Sequence, residues 1–239
     1  MPIHNEAGAI ESLVAEIVAA LGERDFEIVA VDDGSSDDSP ERLARLMADL
    51  PRLRLLRHVR QAGQSAALWT GIKAATGEWV ATIDGDGQND PRDIETLLAA
   101  RPGASDQAPL LIAGHRRQRK DTVVKRLSSR IANAVRARLL RDQTPDTGCG
   151  LKLMRRGHFT TLPAFDHFHR FLPALVIRQG GRVLSVDVGH RPRLKGRSHY
   201  GTWDRLWVGL YDLFGVSWLQ RRPIHVDHRE IKSSRGVVP

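Results

Sequence analysis

The stretch Trp79-Val80-Ala81-Thr82-Ile83 runs directly into Asp84-Gly85-Asp86, so an apolar segment of strand length ends in two carboxylates one residue apart. Side chains two residues apart on an extended chain point the same way, and both carboxylates can therefore reach one cation. Hard divalent cations prefer oxygen ligands of this kind, and a bound cation would in turn hold a diphosphate. An acidic turn that closes a strand is the alternative interpretation of the same residues.

Helical and strand patterns alternate around this stretch. The predicted helices cover residues 10–21, 39–50 and 63–75 and a segment that begins at Pro91, and the predicted strands cover residues 26–31, 53–56, 79–83 and 109–113. This alternation predicts an α/β fold with a mainly parallel, Rossmann-like sheet and helices on both faces. Ligands of such sheets bind beyond the carboxyl ends of the strands, where Asp32-Asp33 and Asp84-x-Asp86 both fall.

The start of the chain departs from this pattern. The segment Pro2-Ile3-His4-Asn5-Glu6 has the character of a loop after a first strand, although only Met1 precedes it. A first strand is usually central in a doubly wound sheet, and its removal would leave two neighbouring strands with unpaired backbone groups. We therefore expect a truncated first strand and a true start that lies upstream.

The positive charge is concentrated in one segment. The net charge of the 239 residues is +8, whereas residues 115–141 alone hold ten Lys or Arg and one Asp, which gives them +9 and leaves −1 elsewhere. A nucleic-acid-binding module would need a base-reading motif or interleaved stacking aromatics, and this segment has neither. No apolar run is long enough to span a membrane, and the lone Cys149 cannot form an internal disulfide.

Two segments have amphipathic helical patterns. In the basic segment the apolar residues keep to one helical face; they are Val124, Leu127, Ile131, Val135 and Leu139. Such a helix can lie on an anionic bilayer or pack its apolar face on the sheet, and both remain open.

The second segment, residues 202–222, places five aromatic residues on one helical side; they are Trp203, Trp207, Tyr211, Phe214 and Trp218. We expect them to lie on a membrane or to dock a membrane partner, with core packing as the alternative.

Six motifs together resemble a known family. They are Pro2-x-His4-Asn5-Glu6, Val31-Asp32-Asp33-Gly34-Ser35-x-Asp37, Gly63 with Ala67 and Gly71, Asp84-Gly85-Asp86-Gly87-Gln88-Asn89-Asp90-Pro91, Asp146-Thr147-Gly148-Cys149-Gly150-x-Lys152, and Arg193-x-x-Gly196-x-Ser198. In this order and spacing the chain resembles a family 2 glycosyltransferase of the GT-A type, in the branch of polyprenyl-phosphate sugar transferases that includes dolichol-phosphate mannose synthase. The resemblance implies a GT-A domain over residues 1–201. Beyond it, the spacing of the aromatic residues predicts an amphipathic aromatic helix over residues 202–222, and the polar composition predicts a disordered tail over residues 223–239.

The resemblance also implies a donor site and a metal site. It assigns the nucleotide-sugar donor to Pro2, His4, Glu6, Asp32, Asp33, Asp84 and Arg193. It assigns Mg²⁺ or Mn²⁺ to Asp84, Asp86 and Gln88, with donor phosphate oxygens and water completing the coordination. Oxygen ligands without Cys or a paired His argue against zinc. His4 departs from the family, which more often carries an aromatic residue at that position.

For the acceptor phosphate, the residues implied by the resemblance are Arg116, Arg130, Asn133 and His199. Arginine suits this role because its planar fork binds phosphate oxygens in pairs, although a solvated helix face would also explain both arginines. The family commonly has Lys where His199 stands, so a phosphate contact there would depend on pH. The implied catalytic residues are Asp146 and Asp86. Asp146 is either a base or a positioning group, because a phosphate acceptor is already largely ionised at neutral pH.

The function that the resemblance implies is inverting, metal-dependent hexosyl transfer, similar to that of dolichyl-phosphate mannosyltransferases. The donor would be a UDP- or GDP-sugar and the acceptor undecaprenyl or dolichyl phosphate, at the cytoplasmic face of the membrane. The enzyme would be peripheral there, with a small separate membrane protein as a further candidate partner and no nucleic acid. The alternatives are a family 2 enzyme with another glycolipid or polysaccharide acceptor, a non-catalytic nucleotide-sugar-binding protein, and a basic nucleic-acid-binding module.

Overall fold

The computed structural model of the protein describes residues 1–103, 108–116, 136–142, 144–192 and 202–222, with side chains in the last range described from residue 209. The described strands are β1 (Pro2–Ile3), β2 (Ile28–Asp32), β3 (Leu53–Arg57), β4 (Trp79–Thr82), β5 (Leu110–Arg116), β6 (Lys152–Arg155) and β7 (Arg182–Val188). The described helices are α1 (Ile10–Leu21), α2 (Ser39–Asp49), α3 (Gln64–Ala74), α4 (Asp93–Ala99), α5 (residues 136–140), α6 (Arg156–Thr161), α7 (Leu172–Arg178) and α8 (Thr202–Gln220).

The strands form two hydrogen-bonded groups. The first has the order β1-β2-β3 and is parallel throughout. The second has the order β4-β6-β5-β7, in which β6 is antiparallel to both neighbours and β5 is parallel to β7. Gly85, just after β4, joins the groups at their carboxyl edge, because a Cβ there would lie 2.5 Å from Cδ1 of Ile3. The predicted α/β fold with a mainly parallel sheet is therefore confirmed.

Helices cover both faces of the sheet, as the alternating pattern predicts. Their buried apolar residues fall into two clusters, one on each face. The first cluster takes its helical residues from α1, α2 and α4, including Ile10, Leu13 and Leu43. The second takes them from α3, α5, α6, α7 and α8, including Leu68, Leu140 and Phe159. Strands β2, β5 and β6 are largely buried, so their apolar runs are nearly continuous, whereas β7 exposes much of its length.

The periodic segments of the first half fold as predicted, with boundaries shifted by a few residues. Helix α1 ends at Gly22, whose φ of +53° closes the helix, as the apolar spacing followed by glycine predicts. The first strand is short, since β1 pairs only Pro2 with Val31 and Ile3 with Asp32. Most of the predicted basic helix and the whole of residues 223–239 lie outside the described residues.

Helix α8 packs one side on the protein and exposes the other. Leu213 and Val216 are buried in the second apolar cluster. Tyr211, Phe214 and Trp218 are 83%, 66% and 60% exposed, which rules out core packing for these three within the described part of the chain. No described helix is long and apolar enough to cross a membrane.

Candidate active site

Asp33, at the carboxyl end of β2, organises the loop that leads into α3. Its two carboxylate oxygens accept hydrogen bonds from the backbone N–H of Ala62 at 2.8 Å and of Gly63 at 2.7 Å. The ring of His58 contacts the same carboxylate at 2.7 Å through Nδ1. Asp33 is buried, so these contacts replace water around its charge. Asp33 therefore fixes the loop that leads into α3, in addition to its predicted role in donor binding.

The loop after β1 contacts Asp33 and the residues that follow it. His4 contacts the Asp33 carbonyl through Nδ1 at 2.9 Å, and the Asn5 side chain lies 3.3 Å from its Nε2. Asn5 has a φ of +57° and accepts the backbone N–H of Ser36 at 2.8 Å. Asparagine tolerates this left-handed conformation because its short side chain bonds locally. The predicted donor residues of this loop are thus joined to the loop after β2.

Asp32 lies beside Asp33 and is fully buried. Its Oδ1 accepts the backbone N–H of Ser35 at 3.1 Å, and the Nε of Arg57 lies 3.0 Å from Oδ2. Oδ2 nevertheless lacks a partner with hydrogen-bonding geometry among the described residues. A buried carboxylate oxygen in this state retains capacity for a further donor, such as a hydroxyl or imide of a ligand.

Asp84 and Asp86 lie at the carboxyl end of β4, as their position after an apolar run predicts. Asp84 accepts a hydrogen bond from Nε2 of Gln64 at 2.9 Å. A Cβ at Gly150 would lie 2.1 Å from Oδ2 of Asp84, so the carboxylate rests directly on the glycine backbone. Burial and then the adjacent charge of Asp86 raise the pKa of Asp84 above its usual range. Both effects disfavour the charged carboxylate. A bound cation would stabilise the charged form and so offset both effects.

This pair fits a divalent cation that completes its shell with ligand oxygens. No group of three or more His, Cys, Asp or Glu residues suited to a metal occurs among the described residues, so the protein would supply two carboxylates. That donor set suits Mg²⁺ or Mn²⁺ bound jointly with a diphosphate. Gln88, the third predicted ligand, directs its Nε2 to the Arg191 carbonyl at 3.4 Å and donates its backbone N–H to Asp86 at 3.0 Å.

Arg116 and Asp146 form a bidentate ion pair next to these carboxylates. Nε of Arg116 lies 2.7 Å from Oδ2 of Asp146, and Nη2 lies 2.9 Å from Oδ1. Burial alone would lower the pKa of Arg116, but the Asp146 carboxylate outweighs it and raises that pKa. A guanidinium has five N–H donors and this pair uses two, so Arg116 can bind Asp146 and phosphate oxygens together.

Lys152, the first residue of β6, is buried beneath the same edge and its ammonium donates to the Cys149 carbonyl. Burial lowers the pKa of Lys152, while the charges of Asp84 and Asp146 act in the opposite direction. The lysine is thus electrostatically coupled to both acidic positions. Together with Arg116 they form one cluster of opposite charges where β4 and β5 end and β6 begins.

The comparisons with known proteins agree with this geometry. A family model described as glycosyl transferase family 2 matches residues 1–162. The chain belongs to glycosyl transferase family 2. Among the solved structures similar to this family 2 chain is a glucosyl-3-phosphoglycerate synthase from Mycobacterium tuberculosis, in complex with Mn²⁺, UDP-glucose and phosphoglyceric acid. Its TM-score is 0.63 at 20% identity, covering 92% of this chain and 77% of that one, and this likeness supports the GT-A fold.

Two curated relatives of this family 2 chain have a polyprenyl phosphate in their names. A dodecaprenyl-phosphate galacturonate synthase of Rhizobium johnstonii is 32% identical over 234 residues, covering 94% of this chain and 68% of that protein. An undecaprenyl-phosphate 4-deoxy-4-formamido-L-arabinose transferase of Edwardsiella ictaluri is 32% identical over 220 residues, covering 89% of this chain and 65% of that protein. The chain thus spans 65% to 68% of the length of these relatives.

Several residues of the family 2 site were missed by the sequence reasoning. Gln64 contacts Asp84, and Ser65 beside it lies 2.7 Å from Nδ1 of His169. Burial lowers the pKa of His169 to about 3, so the ring is neutral at pH 7. The motif that contains Lys152 does not by itself predict a role for this residue. The only sequence signal for Gln64 and Ser65 was their place at the start of a helix that follows a glycine.

Four residues predicted for the family 2 site belong to segments that the structure does not describe. Arg130, Asn133, Arg193 and His199 lie outside the described residues. The segment that leads toward Arg193 is anchored, because Arg191 pairs with Glu16 at 2.5 Å and with Asp90 at 2.9 Å. The assignments of Arg130, Asn133, Arg193 and His199 remain predictions.

Proposed function

We propose that this family 2 protein transfers a sugar from a nucleotide-sugar donor to a polyprenyl phosphate. One observation carries the proposal: the buried cluster in which Asp84 and Asp86 adjoin the Arg116–Asp146 pair and Lys152. Two phosphate-bearing substrates repel each other, so their reaction needs cations from two directions. This cluster offers a carboxylate pair for a metal ion on one side and a guanidinium on the other.

The donor would be held by the metal-binding carboxylates and the loops after β1 and β2. Mg²⁺ or Mn²⁺ would bind to Asp84 and Asp86 with Gln88 nearby, and the ion would act as a Lewis acid on the diphosphate. Pro2, His4, Glu6 and Asp32 would contact the nucleotide, for which Asp32 retains an acceptor oxygen. The similar structure from Mycobacterium tuberculosis holds Mn²⁺ and UDP-glucose, which supports a UDP-sugar, and GDP-sugars remain candidates.

The chemistry would be an inverting single displacement. An oxygen of the acceptor phosphate attacks the anomeric carbon while the bond to the nucleoside diphosphate breaks, and the electron pair leaves with that diphosphate. A phosphate monoester is largely ionised at pH 7, so no strong base is needed. Asp146 then positions Arg116, and Arg116 positions the acceptor phosphate. Arg130, Asn133 and His199 would extend the acceptor site, and Arg193 would close on the donor.

A lipid-linked acceptor fits both the relatives and the surface of the protein. The relatives named above act on dodecaprenyl and undecaprenyl phosphate, which supports the same acceptor class here. The exposed aromatic face of α8 would lie in the interface of the membrane, with the exposed Arg221 and Arg222 near its headgroups. The protein would work as a peripheral enzyme at the cytoplasmic face, and a separate membrane protein would provide an alternative dock for α8.

The test is a donor screen. Radiolabelled UDP-sugars and GDP-sugars, GDP-mannose among them, are incubated with the chain, undecaprenyl phosphate micelles and Mn²⁺, and label in the organic phase is counted. We expect transfer from at least one donor, loss of transfer in excess chelator, and at least about 100-fold less in Asp86→Asn. Glu11→Gln, a change at an exposed ion pair with Arg42, is the matched control and should transfer normally. Transfer only to a polysaccharide or to water would contradict the proposed acceptor.

A further inference from the structure

His169 belongs to the short 3₁₀ helix Phe168–Arg170, which packs against α3. The rings of Phe168 and Trp69 meet edge to face with their centroids 6.0 Å apart. Phe168 is 1% exposed and belongs to the second apolar cluster. These contacts fix the backbone that carries the imidazole of His169, and a fixed backbone is a condition for precise ligand binding.

One ring nitrogen of His169 is held by the first turn of α3. Nδ1 lies 2.7 Å from Oγ of Ser65, which is itself buried. The residue before Ser65 is Gln64, whose Nε2 donates to Oδ1 of Asp84 at 2.9 Å. Two consecutive residues of α3 therefore contact the imidazole and one of the two carboxylates suited to a metal ion. The ring lies beside the donor end of the active site.

The other ring nitrogen of His169, Nε2, forms no hydrogen bond with any residue that the structure describes. His169 is only partly buried as a residue, so a ligand can reach its ring. The two nitrogens project from different sides of the imidazole, and the contact of Nδ1 with Ser65 leaves Nε2 directed away from the first turn of α3. A ligand can therefore bind to Nε2 without displacing a described protein contact.

The electrostatic neighbours of His169 relate its ring to the rest of the site. After burial, the charge of Lys152 is the largest cause of the lowered pKa of His169, so the two side chains are near each other. The charges of Asp84 and Asp146 act on Lys152 in turn, as does that of Arg116. The ring of His169 therefore borders the volume between the proposed site of the donor diphosphate and the proposed site of the acceptor phosphate.

The transferred sugar has to lie in that volume. Its anomeric carbon is bonded to the donor diphosphate and is attacked by the acceptor phosphate, so the sugar lies between the two phosphate sites when the reaction occurs. The hydroxyl groups of the sugar lose water there and need hydrogen-bond partners, because an unpaired buried hydroxyl weakens binding. An imidazole nitrogen without a protein partner can fill this need.

We propose that His169 binds a hydroxyl group of the transferred sugar through Nε2, while Ser65 fixes the ring through Nδ1. This inference rests on the proposed function, because it adds a substrate contact to the same site. The ring is neutral at pH 7, since burial lowers its pKa to about 3. Nε2 of a neutral imidazole is either a donor or an acceptor, and a hydroxyl group complements both tautomers. His169 would therefore help to select the sugar, whereas Asp84 and Asp86 would bind the diphosphate through the metal ion.

An alternative role for His169 is to position the first turn of α3, and this role would use Nδ1 alone. Two substitutions separate the roles. The side-chain nitrogen of asparagine lies near the position of Nδ1 of histidine, and that of glutamine lies near the position of Nε2. A sugar contact through Nε2 should therefore survive in His169→Gln and be lost in His169→Asn. A positioning role through Ser65 should give the opposite result.

The test combines sugar transfer with nucleotide binding. Transfer to undecaprenyl phosphate in Mn²⁺ is measured with UDP-glucose, UDP-galactose, UDP-galacturonate and GDP-mannose, and the best donor is then used with each variant. We expect kcat/KM to fall at least about tenfold in His169→Asn and in His169→Ala, and to stay within about threefold in His169→Gln. Calorimetric titration of the free nucleotide of that donor should give the same affinity, within about twofold, in all three variants. His158→Gln on α6 is the matched control, because Nδ1 of His158 has no described partner, and it should transfer normally.

Deoxy forms of the same donor identify the hydroxyl group. With the original chain, one deoxy donor should be transferred at least about tenfold more slowly than the parent donor. With His169→Ala the same two donors should be transferred at nearly equal rates, because the contact is already absent. Melting temperatures show whether each variant is folded, and the deoxy donors test the original chain without any substitution.

The other outcomes overturn the assignment of His169. Normal transfer by His169→Asn with impaired transfer by His169→Gln would show that the ring positions Ser65 instead. An equal loss of affinity for the free nucleotide and for the donor would place the effect on the diphosphate site. Normal transfer by folded His169→Asn and His169→Ala, or no deoxy donor that is transferred more slowly, would exclude the sugar contact and leave the proposed function intact. No transfer from any of the four donors by the original chain would contradict the proposed function, and the assignment of His169 would fall with it.

Discussion

Arg116 holds both carboxylate oxygens of Asp146, through Nε at 2.7 Å and Nη2 at 2.9 Å. Both side chains are largely buried, with exposed fractions of 13% for Arg116 and 8% for Asp146. A carboxylate whose two oxygens accept hydrogen bonds from a guanidinium is a weak base, because the charged form is stabilised. This pair therefore favours a positioning role for Asp146 over proton abstraction.

Separate substitutions distinguish the structural and catalytic roles of this pair. Asp146→Asn leaves Arg116 buried without its partner, and we expect about 3 to 5 kcal/mol less stability and at least about 100-fold lower kcat/KM. The double variant Arg116→Met, Asp146→Leu removes both charges together, so its stability should lie close to that of the original chain while transfer stays abolished. Urea unfolding and sugar transfer are the two measurements. Near-normal transfer by the folded double variant would show that neither residue is needed for the reaction.

The contact between Gly150 and Asp84 predicts a sharp effect of one methyl group. In Gly150→Ala the new Cβ would lie 2.1 Å from the Asp84 carboxylate, so the carboxylate must move. We expect at least about tenfold weaker Mn²⁺-dependent UDP or GDP binding, which calorimetric titration measures. Gly157→Ala is the matched control, because nothing lies within 4 Å of its Cβ position. Equal nucleotide affinity in both alanine variants would contradict the assignment of Asp84 to the metal site.

Much of the fold follows from the sequence because burial imposes periodicity. The spacing of Ile10, Leu13 and Ile17 and the stop at Gly22 predicted α1 because one helical face is buried there. The alternating pattern likewise predicted Asp33 and Asp84 at one edge of the sheet, and the neighbours Gly63 and Gln64 donate hydrogen bonds to them there. The bonds of Asp33 to Ala62 and Gly63 and the pairing of Arg116 with Asp146 join residues about 30 apart, and no local pattern encodes such tertiary contacts.

The exposed face of α8 predicts membrane association through aromatic side chains. Replacing Tyr211, Phe214 and Trp218 together by serine removes the apolar area that would enter the interface, so binding to phosphatidylglycerol vesicles should fall at least about tenfold. Met47 and Val59 are also exposed but lie outside α8, and their replacement by serine is the control. Vesicle co-sedimentation gives the bound fraction. If the two sets of variants bind vesicles equally, α8 is not the contact.

We expect the buried ring of His169 to make the stability of the folded protein sensitive to acid. Burial lowers the pKa of His169 to about 3, below the ordinary value of 6.5, so the folded state binds fewer protons than the unfolded state between these values. Its contribution is therefore fully present above about pH 6.5 and is lost as the pH falls toward about 3. Urea unfolding at several pH values should show a steeper acid loss for the original chain than for His169→Gln. Parallel profiles for the two proteins would argue against a neutral buried ring.

The central claim is that Asp84 and Asp86 bind a divalent cation together with a nucleoside diphosphate. Calorimetric titration of UDP and GDP into the chain, with Mn²⁺ and then with excess chelator, tests it most directly. We predict that at least one nucleotide binds in Mn²⁺, that chelator weakens this binding at least about tenfold, and that folded Asp86→Asn binds weakly in both conditions. Nucleotide affinity that is the same in Mn²⁺ and in chelator, and unchanged in Asp86→Asn, would contradict the account.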